Sequence, residues 1–123
     1  MKILIAGPVQ QKPEILRMFL HTVQHVRRPA DCELHYHFID DNERDESSAI
    51  LRQFQASQPN VKIARSGHHI RYVVDESTHY WTEDNMERVG RMKDEIIREA
   101  IEGGYDYAWF IDSDLLVHPD TLI

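Results

Sequence analysis

The sequence predicts an α/β fold: a doubly wound, mainly parallel sheet with flanking helices. Two observations carry this. Short apolar runs alternate with longer amphipathic stretches in the order β-α-β-α-β-loop-α-β. The clearest of these runs, Ile3 to Ala6 and Tyr107 to Ile111, are continuously apolar rather than alternating. Continuous runs belong to strands covered on both faces, as in a parallel sheet with right-handed crossovers.

The elements follow in order. Ile3–Ala6 is a first strand that runs into Gly7-Pro8. Pro13-Glu14 opens a helix, because Pro is tolerated in a first turn and Glu suits the positive helix end. Ile15, Leu16, Phe19, Leu20, Val23 and Val26 recur along it at helical spacing, and Arg27-Arg28-Pro29 is read as its end. Glu33–Ile39 is a second strand ending in Asp40-Asp41-Asn42. Ser47–Gln55 is a short amphipathic helix, Pro59-Asn60 a turn and Val61–Ala64 a third strand. Arg65–Asn85 lacks clean periodicity, although Val73-Val74 suits a short strand; a loop this long inside a domain is usually functional. Glu87–Gly104 is the strongest helix, with Val89, Met92, Ile96, Ile97, Ala100 and Ile101 as one stripe. Asp84 or Asn85 is the expected cap, and Gly103-Gly104 supplies the exit. Tyr107–Ile111 is a fourth buried strand, and His118–Leu122 reads as the start of another helix.

Composition narrows the function classes. The 123 residues are one domain's worth, with a formal charge of -7. A deficit of cations argues against nucleic acid or an anionic membrane as the main partner. No apolar run approaches a membrane span or a signal sequence, so the expectation is a soluble cytoplasmic chain. A single Cys, Cys32, excludes an internal disulfide and is read as an inert thiol. The eight His include His35 and His37 on one strand face, read as packed strand residues. H-E-x-x-H, G-x-S-x-G, the P-loop and G-x-G-x-x-G are all absent, which weakens metalloprotease, hydrolase, NTPase and dehydrogenase readings.

Three clusters follow three strands: Gly7-Pro8, Asp40-Asp41 and Asp112-Ser113-Asp114. In an open parallel sheet these are carboxyl ends, which converge on one rim where ligands bind. Asp112 and Asp114 repel each other and so suit a hard divalent cation, Mg2+ or Mn2+, completed by waters and phosphate oxygens. The plain alternative is a solvated turn. Asp40 and Asp41 are candidates for hydrogen bonding to a base or a ribose, against the same alternative. Arg88 near the start of the long helix is placed to meet phosphate.

Taken together, Ile3–Val9, Phe38–Asn42, Arg88–Ala100 and Tyr107–Asp114 resemble the nucleotide-binding half of a GT-A glycosyltransferase, most like family 2, across nearly the whole chain. The resemblance implies one nucleotide-sugar-binding domain over residues 1–123, truncated relative to a full catalytic domain. It implies a nucleoside-diphosphate-sugar donor, a divalent metal (Mn2+ or Mg2+), and a sugar, lipid or protein acceptor. By position, Pro8 lies along the nucleoside and Asp40 or Asp41 reads the base. Arg88 falls near base and diphosphate, and Lys93 stands where the family frequently has Arg. Asp112 faces ribose or sugar, and Asp114 holds the metal. An inverting reaction is implied, with its catalytic base expected beyond Ile123. The resemblance names neither donor sugar, acceptor nor oligomeric state. Two other classes stay open: a non-catalytic nucleotide-binding or interaction module, and a haloacid-dehalogenase-type phosphatase, whose nucleophile strand Phe110–Leu116 mimics.

Overall fold

In the computed structural model, a four-stranded sheet has the order β3-β2-β1-β6. The structure describes residues 1–65, 73–74, 79–80 and 83–122. Within these lie β1 (Lys2–Val9), α1 (Pro13–Gln24), β2 (Glu33–Asp40), α2 (Asp45–Ser57), β3 (Val61–Arg65), β4 (Val73–Val74), β5 (His79–Tyr80), α3 (Glu83–Glu102) and β6 (Tyr107–Phe110). All three pairings in the main sheet are parallel. β4 and β5 form a separate antiparallel pair. The chain winds outward from β1 through β2 to β3, then returns to add β6 on the other side of β1. The order reverses there, so the switch point lies between β1 and β6. The expected Rossmann-like, doubly wound α/β class is the observed one.

Alternation along the strands builds two cores. Ile3, Ile5 and Val9 of β1, with Tyr36 and Phe38 of β2, pack with Leu16, Phe19 and Val23 of α1 and Leu51 and Phe54 of α2. Leu4, Ala6 and Ile39 point the other way, onto Met92 and Ile96 of α3. Helices thus cover both faces of the sheet, which is why β1 reads as a continuous apolar run. Ile5, Leu16, Phe19, Phe38, Leu51 and Ile96 are fully buried, each worth about 1.5–3 kcal/mol of transfer free energy.

Several boundaries differ from expectation. α1 stops at Gln24, before the Arg27-Arg28-Pro29 signal. Val26 turns into the core, and the Arg27 N–H donates to the Pro119 carbonyl at 2.8 Å. α3 begins at Glu83, so Asp84 and Asn85 lie within its first turn rather than at the position before it. Its far end is as expected. Gly104 has φ 69°, Gly104 N–H donates to Ile101 O, and Tyr105 N–H donates to Ala100 O. That bond pair is a Schellman exit. β6 ends at Phe110 and, lying at the edge of the sheet, is largely exposed rather than the buried strand expected, although Ile111 N–H still donates to Ala6 O at 3.0 Å. His118–Leu122 forms turns, not a helix, and Asp120 pairs with Arg27 at 3.0 Å. The expected functional loop at 66–72, 75–78 and 81–82 lies outside the described residues. Among the described residues no helix is long and apolar enough to cross a membrane.

Candidate functional site

The parallel register brings the strand ends to one rim. Val9 pairs with Asp40, and Asp40 with Arg65, at the ends of β1, β2 and β3. β6 joins the other side of β1, with Ala6 beside Phe110. Beyond that pair the backbones close up: a Cβ on Gly7 would lie 2.6 Å from the Ile111 carbonyl oxygen. Only glycine permits this approach. It sets the Asp112-Ser113-Asp114 segment against Gly7-Pro8, at the switch point itself.

The β2 end is buried and ordered by its own side chains. Asp40, Asp41 and Asn42 are all nearly inaccessible. The Asp41 N–H donates to Val9 O at 2.9 Å. Asp40 Oδ1 accepts from the Asn42 N–H at 3.1 Å and from Asn42 Nδ2 at 2.8 Å. Asn42 Oδ1 accepts in turn from the Gln11 N–H at 2.8 Å, and Ser47 Oγ donates to Gln11 O at 2.7 Å. These bonds clamp the loop after β1 to the loop after β2. Arg65 Nη1 lies 3.8 Å from Asp40 Oδ2.

Arg88 is a buried cation of the site. Its side chain is 8% exposed and donates to Asp41 Oδ1, whose side chain is 2% exposed. A charge-assisted bond between buried partners of this kind fixes where a guanidinium points. Arg88 shares a stripe with Met92 and Ile96, so the packing that seats α3 also seats Arg88.

Asp112 and Asp114 differ from that buried pair. Both are exposed, while Ser113 between them is buried and the Leu115 N–H closes a turn onto Asp112 O at 3.2 Å. Neither makes an ion pair among the described residues. Two solvated carboxylates on a turn, flanking a buried residue, are a donor set of the right chemistry for a hydrated hard cation. Pro8 is half-buried on the same rim. Lys93 is not brought into this group: it is exposed, about 140° around α3 from Arg88. Sequence reading missed Asn42, Ser47 and Arg65. An Asx turn after a strand, Asp40 to Asn42, was the local signal available for the first.

The fold and rim define a Rossmann-like α/β domain. The whole chain, residues 1–123, matches the glycosyltransferase family 25, N-terminal domain, and the chain belongs to that family. The crystal structure of S. aureus TarS 1-349 has a similar fold, with TM-score 0.63 at 14% sequence identity over 99% of this chain. This chain spans 30% of that one. The glycosyltransferase resemblance read from the motifs is therefore borne out, with a GT-A-like fold, and the matching family is 25 where the motifs read as most like family 2.

Proposed function

We propose that this chain is the donor-binding part of a glycosyltransferase, holding a nucleoside-diphosphate sugar for transfer to a sugar, lipid or protein acceptor. The observation that carries it is the switch-point rim, where the buried Asp41–Arg88 pair and the exposed Asp112 and Asp114 belong to one edge of the sheet. In this reading Pro8 forms the wall along the nucleoside. The base end is the Asp40–Asp41 segment. Asp41 also orients Arg88, so the guanidinium donates to the diphosphate without reorganising. Asp112 takes ribose or sugar hydroxyls, and with Asp114 it would hold Mn2+ or Mg2+. Such a cation would offset charge on the departing nucleoside diphosphate. Lys93, exposed on another side of α3 from Arg88, has no role in this reading. An inverting course and a cytoplasmic setting, in which Cys32 stays a free thiol, go with the same reading.

Calorimetric titration of the folded chain with UDP-sugars and GDP-sugars, with and without Mn2+, tests this. One donor should bind in a metal-dependent way, and Asp114→Ala should weaken it about tenfold or more. A folded chain that binds none of these donors under either condition sinks the proposal.

A further inference from the structure

Helix α1 carries a histidine pair that the donor rim does not use. His21 lies in its last turn and His25 at its C-cap, four positions apart. Side chains at i and i+4 share a helix face, one turn above the other. The two rings lie together accordingly, with centroids 4.3 Å apart and planes tilted by 41°. Both residues are exposed, so an ion can reach them from solvent. α1 leaves the rim after β1 and returns to the start of β2, which puts the pair at the amino ends of the strands, away from the rim.

The tautomer of His25 is set by its neighbour. His25 Nδ1 lies 2.7 Å from the His21 carbonyl oxygen. A carbonyl only accepts, so Nδ1 carries the proton and donates it, and the neutral ring keeps its lone pair on Nε2. Histidines that ligate metals are oriented in this way, one ring N–H on a backbone carbonyl and the other nitrogen on the ion. His21 makes no side-chain hydrogen bond or ion pair among the described residues. Two nitrogens on one tetrahedral zinc lie about 3.4 Å apart, since each Zn–N bond is about 2.0–2.1 Å. Rings 4.3 Å apart reach that separation by side-chain rotation, with no movement of the helix. The field is favourable as well. The C-terminal end of a helix carries the negative end of its dipole and stabilises a cation. Of the flanking cations, Arg17 is paired with Glu46 at 3.6 Å and Arg27 with Asp120 at 3.0 Å. Imidazole nitrogen suits Zn2+, whereas Mg2+ and Mn2+ prefer oxygen. Among the described residues no third His, Cys, Asp or Glu joins the pair, so the arrangement is a two-ligand chelate that leaves zinc's other positions open.

We propose that His21 and His25 bind one Zn2+ between His25 Nε2 and a ring nitrogen of His21, clipping the last turn of α1 at a site separate from the donor rim. The tag-free chain, labelled with 15N-histidine, is titrated in mildly alkaline buffer with zinc chloride and, in parallel, with magnesium chloride. The expected result is saturable shifts of the His21 and His25 ring nitrogens with zinc and none with magnesium. His21→Gln and His25→Gln, at exposed positions, should keep the metal-free melting temperature near wild type. Each should weaken the zinc response of the remaining histidine about tenfold or more, because the second bond of a chelate is made intramolecularly. Zinc that leaves His21 and His25 unshifted, whatever it does elsewhere in the chain, overturns the proposal. So does an unchanged zinc affinity at the remaining histidine in either variant, or an equal response to magnesium.

Discussion

The Asp41–Arg88 pair can be broken from either side. Exposed ion pairs are worth about 0–1 kcal/mol, because water screens them. Here the two side chains are only 2% and 8% exposed, so the buried regime applies. Removing one partner there leaves a desolvated charge and costs about 3–5 kcal/mol. Asp41→Asn keeps the shape and removes the charge; Arg88→Met keeps most of the stem. Each alone should cost about 3 kcal/mol or more, which for a chain of this length is a melting-point fall of about 12 °C. Asp41→Leu combined with Arg88→Met replaces the pair with apolar groups. Its cost should fall at least about 2 kcal/mol short of the summed single substitutions. Urea unfolding followed by circular dichroism, with an unchanged m-value, measures all of these. Single variants within about 1 kcal/mol of wild type, or strict additivity, would refute the buried-pair argument.

Two further outcomes are expected. Gly7→Ala places a methyl against the Ile111 carbonyl and should cost about 1–3 kcal/mol in the same urea assay, while weakening donor binding at the rim it pushes apart. The second concerns acidity. Burial, aided by Lys62 and opposed by Glu99 and Glu95, lowers the His37 pKa below its ordinary 6.5. The unfolded chain therefore takes up a proton that the folded chain refuses. Stability should be full above about pH 6.5 and decline below it, by at most about 1.4 kcal/mol per pH unit for this one proton. His37→Phe should flatten that slope relative to wild type; an unchanged slope contradicts it.

Much of the fold was legible because hydrophobic periodicity reports local geometry. The run at Ile3–Ala6 announced a strand buried on both faces, and Gly103-Gly104 announced the end of α3; the equally apolar Tyr107–Ile111 run became a largely exposed edge strand, because apolar composition does not tell an edge from a centre. Boundaries set by distant contacts were not legible. α1 stops early because the backbone after it bonds to Pro119, which no nearby residue signals. The site divides the same way. Acids at strand ends are a local pattern, so Asp40, Asp41, Asp112 and Asp114 stood out. The contact between Asp41 and Arg88 spans 47 positions and has no local mark. Period-two spacing placed His35 and His37 on one face, but only the packed neighbours reveal that His37 is fully buried.

The position of β1 has a kinetic side. β1 is an inner strand of the sheet, and its neighbour β6 comes after every other described strand in the chain. The Lys2 N–H to Asp106 bond that starts their pairing closes a span of 104 residues. Contacts at such separation form slowly, because the loop must close before they reward it. On the ribosome, β1 must wait beside β2 until Tyr107–Phe110 has emerged. The rim between β1 and β6 then assembles after the β1–β2–β3 part of the sheet, so on a nascent chain this edge forms later than the strands it borders.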